Sequence, residues 1–235
     1  MVPPGVTRVR HQLARRITGD RSTAIDRRSR NDDDNLKLLL TFGLRRDSNC
    51  LDVGANQGLF LREFRRIAPE GRHIAYEPVP HLAAKLAEDF PEMDIRQRAL
   101  SKWNGESTFV HVVDPDMEGY SGLTDSWVQR EVRTESITVA TERLDDTLPE
   151  GWLPDFVKID VEGAELDVLK GARQVLASDA VQAFLELHPS VWAARGVTAE
   201  QIRAELAVQH LTAEPLDPSI DIWHTEGISV RLRRP

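Results

Sequence analysis

Apolar positions along this chain switch between two spacings. Asn35–Phe42 carries leucines at helical intervals, with Gly43 as the stop. Ser48–Val53 is a short apolar run that ends at Gly54, the pattern of a strand buried on both faces. Gln57–Ala68 returns to helical spacing through Leu59, Phe60, Phe64 and Ile67, and Pro69 and Gly71 close it. His73–Tyr76 reads as a second strand, His81–Phe90 as a helix with Leu82, Leu86 and Phe90 on one face, and Met93–Gln97 as a weak strand. Ser107–Val113 and Ser136–Ala140 are extended. Farther on come a strand at Phe156–Asp160, a helix at Ala164–Leu176, a strand at Val181–Leu187, a helix at Ala199–Leu206 and a closing strand at Ile228–Leu232. Asp114–Glu135 fits neither period. Long irregular segments in compact domains often face a ligand, so this one, with Tyr120 and Trp127, is expected to contact a substrate.

Strands alternating with helices predict an α/β fold: a doubly wound, mostly parallel sheet with helices on both faces. Ligands of such sheets bind beyond the carboxyl ends of the strands, where strand order reverses. At 235 residues the chain has the size of one such domain. A single cysteine, Cys50, excludes a disulfide framework and a cysteine-ligated zinc site. No apolar run is long enough for a transmembrane segment, and a cytoplasmic location is expected. Net charge is −8, which disfavours nucleic acid as a partner. The charge is uneven. Residues 1–30 hold eight arginines against Asp20 and Asp26, while the remainder holds 22 basic and 36 acidic groups. The expected organisation is therefore a basic N-terminal arm, 1–30, and a single domain, 31–235. Val9, Leu13 and Ile17 would line one face of a short basic helix in the arm.

Two strand ends carry the candidate chemistry. The first reads Leu51-Asp52-Val53-Gly54-Ala55-Asn56-Gln57-Gly58, a glycine turn from strand into helix, and the next strand ends at Glu77-Pro78. An acidic residue at that remove is suited to accept ribose hydroxyls. The turn is not G-x-G-x-x-G, and Asp52 would repel a pyrophosphate. S-adenosylmethionine carries a sulfonium and an ammonium and no phosphate, so it suits Asp52 and Glu77 better than NAD does. The second region is Lys158-Ile159-Asp160-Val161-Glu162-Gly163-Ala164-Glu165, followed on the next strand by Glu186-Leu187-His188. Alternation puts Asp160 with Glu162, and Glu186 with His188, on common faces. Such a set could serve as a general base or hold a divalent cation. Glu165 falls in the first turn of a helix, where a carboxylate complements the helix dipole. Lys158 is expected to be paired, with Glu186 as one partner.

In order along residues 35–190, D-V-G-A-N-Q-G, Tyr76-Glu77-Pro78, Ala99-Leu100-Ser101, Leu144-Asp145-Asp146, Ile159-Asp160-Val161-Glu162-Gly163-Ala164-Glu165 and Leu185-Glu186-Leu187-His188 resemble the motifs of FkbM-type methyltransferases. The resemblance implies a class I methyltransferase fold, S-adenosyl-L-methionine as donor, and transfer to a hydroxyl of a sugar or secondary metabolite. It implies that Asp52, Gly54, Ala55, Asn56 and Gly58 surround the methionine part and that Glu77, with Pro78, holds the ribose. It also implies that Ala99 and Leu100 lie near the adenine and that Asp160 sits by the sulfonium. The base is not fixed by a motif. His188, oriented by Glu186 or Asp160, is one assignment, with Glu162 in the same constellation. Asp160 as base, with a metal held by Asp160 and Glu186, is the rival. A catalytically idle donor- or partner-binding protein and a nicotinamide-dependent oxidoreductase are the alternative functions. The acceptor and the oligomeric state are not legible.

Overall fold

The computed structural model describes residues 31–112 and 134–234. The basic arm and residues 114–133 of the expected substrate-facing loop lie outside the described residues. Residues 31–43 form helix α1. It is followed by β1 (Cys50–Val53), α2 (Leu59–Ile67), β2 (His73–Tyr76), α3 (Pro80–Asp89), β3 (Asp94–Arg96), β4 (Ala99–Leu100), β5 (Gly105–Val112) and β6 (Thr134–Glu142). Then come α4 (Leu144–Thr147), β7 (Phe156–Ile159), α5 (Glu165–Gly171), β8 (Gln182–Leu187) and α6 (Pro189–Trp192). The chain ends with a 3₁₀ turn (Ala193–Arg195), α7 (Ala199–Val208), β9 (Thr212–Pro215) and β10 (Ile228–Arg233).

Seven strands form the main sheet in the order β3-β2-β1-β7-β8-β10-β9. β1 is parallel to both β2 and β7, β7 is parallel to β8, and β10 runs antiparallel to β8 and β9. The expected mostly parallel, doubly wound sheet is the one observed. Strand order reverses between β1 and β7, so the crevice lies beyond Val53 and Ile159. β5 and β6 form an antiparallel pair, with β4 parallel to β6, in a separate three-stranded sheet.

Residues alternate between the two faces of the main sheet, and the core divides accordingly. Leu51, Val53, Val157, Ile159 and Leu185 pack with Leu166 and Leu169 of α5 and Ile202 of α7. Cys50, Ala75, Phe156 and Phe184 pack with Leu36 and Leu40 of α1, Phe60 and Phe64 of α2, and Leu86 of α3. Every residue of β1, β2 and β7 is buried, which explains why these strands read as mostly apolar runs, broken by Asp52, His73 and Lys158. Among the described residues, no helix is long and apolar enough to cross a membrane.

The expected helix Ala164–Leu176 is shorter, ending at Gly171. Asp145 Oδ1 accepts hydrogen bonds from the backbone N–H groups of Gln174 and Val175, at 3.0 and 3.1 Å. A side chain therefore takes donors that a continuing helix would use internally. Asp114–Glu135 was read as irregular, yet its last two residues, Thr134 and Glu135, begin β6. β4, α4, α6 and β9 have two to four residues each, too few for a period to show.

Candidate active site

Gly54 follows β1 in the left-handed region, at φ 84°. A Cβ there would lie 1.8 Å from the carbonyl oxygen of Asp160, so only glycine lets the β1 turn close onto the end of β7. Gly58 (φ 75°) precedes α2, and a Cβ there would meet Leu86 and Phe90 of the α3 region within 3 Å. The Gly54 turn and the end of β7 border an open cleft. Its lining includes Gly54, Asn56, Glu77, Pro78, Asp160 and Glu162, with an apolar wall from Val79, Leu82, Leu100 and Phe109.

Glu77 emerges from the end of β2 and is 4% exposed. Its Oε2 accepts the Asn56 N–H at 2.7 Å and its Oε1 accepts the Val79 N–H at 2.8 Å. These bonds hold the carboxylate at the cleft wall. Burial pushes its pKa up to about 7, against the lowering effect of the two N–H groups. Asn56 itself sits at φ 47°, and its side-chain Oδ1 is buried with no hydrogen-bond partner.

Asp52 lies beside Lys158 across the β1–β7 register and is 1% exposed. Burial raises its pKa to about 6, with Lys158 opposing. Lys158 Nζ stands 3.1 Å from Asp160 Oδ2 and 3.9 Å from Asp52 Oδ1. Burial works against the ammonium, but Asp160 and Asp52 outweigh it and keep the group charged. The lysine's close partners are thus Asp160 and Asp52 rather than the expected Glu186. Burial likewise works against the Asp160 carboxylate, and Lys158 and His188 overcome it, so its pKa falls below the ordinary aspartate value.

Behind Asp160 lies the imidazole of His188, just past β8, 3% exposed and outside the cleft lining. Its Nδ1 is 2.7 Å from Glu165 Oε1. Glu165 is fully buried, and it also accepts the Gly163 N–H at 3.0 Å and the Trp192 indole N–H at 2.9 Å. The orienting partner of His188 is therefore Glu165, not Glu186 or Asp160, whose oxygens lie 3.7 and 3.8 Å from Nε2. Glu162 is reached differently from the expected strand extension. β7 ends at Ile159, and a turn with Glu162 at φ 45° brings its Oε2 to 3.5 Å from Nε2. Burial lowers the tendency of His188 to protonate, but Glu162 and Glu165 overcome it and its pKa stands well above 6.5. Burial raises Glu162 strongly, and burial together with Asp160 raises Glu186 to about 8.

The Methyltransferase FkbM domain matches residues 52–213. The chain belongs to the FkbM methyltransferase family. The 2-O-methyltransferase NoeI of Sinorhizobium fredii is 32% identical over 145 residues, covering 55% of this chain and 59% of NoeI. Methyltransferase sdnD of Sordaria araneosa is 28% identical over 153 residues, covering 52% of this chain and 59% of sdnD. The chain thus matches about three-fifths of the length of these relatives. A candidate rRNA-methylase of Clostridium thermocellum shares the fold, with a TM-score of 0.53 at 5% identity over 86% of this chain and 94% of that one.

Of the residues the FkbM resemblance implied for the donor, Gly54, Asn56, Glu77, Pro78, Ala99, Leu100 and Asp160 line the cleft. Asp52, Ala55 and Gly58 do not. Asp52 is buried behind the turn beside Lys158, and Gly58 packs the start of α2 against α3. Of the proposed catalytic residues, Asp160 and Glu162 face the cleft, while Glu186 and His188 stand behind them. Sequence reading missed Glu165 as the partner of His188, and of the apolar wall it placed only Leu100 at the cleft. The available signal for Glu165 was positional, since it and His188 each follow one of two adjacent parallel strands.

Proposed function

We propose that this FkbM-family chain transfers a methyl group from S-adenosyl-L-methionine to a hydroxyl of a sugar or secondary metabolite. The observation that carries the donor assignment is Glu77, a buried carboxylate fixed by two backbone N–H groups at the wall of the cleft. Its lone pairs suit two ribose hydroxyls, as at the strand end of other doubly wound sheets. The apolar wall of Val79, Leu82, Leu100 and Phe109 suits adenine. Gly54 and Asn56 line the same cleft beside Asp160, the place this reading gives the methionine part. Asp160, ionised beside Lys158, faces the cleft and complements a sulfonium. The residues present therefore fit the donor, which supplies an electrophilic methyl group when bound.

What this chain adds is position and proton handling. In-line displacement needs the acceptor oxygen held against the methyl carbon, which is the contribution of a rigid cleft at the strand ends. A protonated alcohol is a poor nucleophile, and a base in hydrogen-bond reach assists the attack. Of the carboxylates that line the cleft, Asp160 and Glu162 stand just past the end of β7, and Asp160, held ionised beside Lys158, is the one that accepts the hydroxyl proton. His188, tethered by Glu165, acts as a positioning residue behind them and not as the direct base. Support for oxygen as the acceptor comes from the relative named a 2-O-methyltransferase.

The test is transfer of labelled methyl from S-adenosylmethionine to a panel of glycosides and hydroxylated metabolites. Label recovered as a methyl ether, with S-adenosylhomocysteine formed in equal amount, is the expected result. Label recovered on nitrogen or carbon would overturn the hydroxyl assignment, and NADH oxidation in place of transfer would overturn the reading.

A further inference from the structure

The two nitrogens of His188 face opposite chemistry. The side chain is 4% exposed. Nδ1 meets Glu165 at 2.7 Å, so the proton on that side is fixed by a fully buried acceptor. Nε2 points the other way and makes no hydrogen bond among the described residues. It stands 3.5 Å from Glu162 Oε2, 3.7 Å from Glu186 Oε1 and 3.8 Å from Asp160 Oδ1. Asp160 Oδ1 and Glu162 Oε2 are themselves buried without a hydrogen-bond partner. Several carboxylate oxygens thus converge around a nearly buried imidazole nitrogen.

Separations of 3.5–3.8 Å are too long for hydrogen bonds and suited to a shared ion. Bonds of about 2.1 Å to a six-coordinate cation set adjacent ligands about 3.0 Å apart and opposite ones about 4.2 Å apart. One ligand atom each from Asp160, Glu186 and His188 lies within 4.8 Å of the others. All three sit at the ends of β7 and β8 in the rigid sheet. Asp160 is steadied further by Lys158 on its other oxygen, Oδ2. Glu165 stands to His188 as a carboxylate does behind a metal-binding histidine, holding the tautomer that frees Nε2.

We propose that Asp160, Glu186 and His188 bind one divalent cation of the magnesium–manganese class, with Glu165 as the residue that orients the imidazole toward it. Two carboxylates and one imidazole make a predominantly hard, oxygen-rich donor set, which selects that class over zinc or copper. The proposal rests on the methyl-transfer reading of this cleft and deepens it. A cation here would lie beside the cleft-facing Asp160, where it could polarise an acceptor oxygen.

The experiment uses the full chain, stripped with EDTA and titrated with Mn²⁺ while free Mn²⁺ is read by electron paramagnetic resonance. The same preparations are titrated with S-adenosylhomocysteine by calorimetry. The expected result is one Mn²⁺ per chain, bound at least about tenfold more weakly by Glu186→Gln and about 10–100-fold more weakly by Glu165→Gln. Glu186→Gln should keep S-adenosylhomocysteine affinity within about threefold, which shows that the variant is folded. Wild-type protein that binds no Mn²⁺ overturns the proposal whatever the nucleoside does, and so does Mn²⁺ affinity unchanged from wild type in both Glu186→Gln and His188→Asn. Release of bound Mn²⁺ by S-adenosylmethionine also overturns it, since the sulfonium would then be the cation the cluster takes. Mn²⁺ bound at this site with no S-adenosylhomocysteine binding would instead overturn the donor reading and leave the metal site standing.

Discussion

Glu165→Gln exchanges one oxygen for an NH₂ group and leaves the side-chain volume unchanged, so its effect isolates hydrogen bonding and charge. The carboxylate accepts from Gly163 N–H and His188 Nδ1 on Oε1 and from Trp192 Nε1 on Oε2, all in a fully buried position. Glutamine has one acceptor oxygen. If that oxygen takes the place of Oε1, the new NH₂ faces the indole N–H, donor against donor. In the other orientation the oxygen takes the indole, and the NH₂ opposes both the Gly163 N–H and the histidine. The first orientation is the less costly. It loses one buried hydrogen bond and strands the indole donor, at a cost of about 1–3 kcal/mol. Urea unfolding at neutral pH measures this as a lower midpoint at unchanged slope. Trp192→Phe removes the stranded donor, so the double variant Glu165→Gln/Trp192→Phe should cost less than the two single changes added together. A Glu165→Gln protein within about 0.5 kcal/mol of wild type, or strictly additive variants, would refute the reasoning.

Gly54→Ala puts a Cβ on a φ of 84° and within 1.8 Å of the Asp160 carbonyl, so the β1 turn must move. Thermal unfolding should show destabilisation of at least about 1–2 kcal/mol, and S-adenosylhomocysteine titration a weaker donor affinity. Glu77 titrates near 7 in the fold against an ordinary 4.5, a difference worth about 3 kcal/mol. Because the folded state favours its neutral form, that stability is present below pH about 4.5 and is lost as pH rises through about 7. Urea midpoints measured from pH 4.5 to 8 should therefore fall, and the fall should be shallower in Glu77→Gln. Asp160→Asn removes a cleft-facing carboxylate and should lower turnover about 100–10,000-fold in the labelled-methyl assay, with a smaller change in donor affinity.

The sheet was legible because its central strands are buried on both faces. Cys50–Val53, His73–Tyr76 and Phe156–Ile159 have no polar alternation to blur their ends, apart from Asp52, His73 and Lys158. The place of Glu77 at the cleft was legible because it ends the strand that follows the glycine turn, and that order survives in the linear chain. The arrangement around His188 was not. Alternation along β8 correctly placed Glu186 and His188 toward one cluster, but alternation says nothing about depth, and depth decides which groups face the cleft. Glu165 reads in sequence as an ordinary helix-start carboxylate. Its burial follows from His188 and Trp192, 23 and 27 residues away. Phe109 was hidden for a similar reason. It lies on β5, in a sheet separate from the one that carries the motifs, and packing alone brings it to the apolar wall of the cleft.

The central claim is that the cleft at the ends of β1, β2 and β7 is a donor site anchored by Glu77. Calorimetric titration of the protein with S-adenosylhomocysteine, repeated for Glu77→Ala, tests it most directly. Loss of two charge-assisted hydrogen bonds, each worth about 1.5–3 kcal/mol, predicts affinity at least about 100-fold weaker in the variant. Equal affinity in the two proteins, or binding of NADH in place of S-adenosylhomocysteine, would contradict the claim.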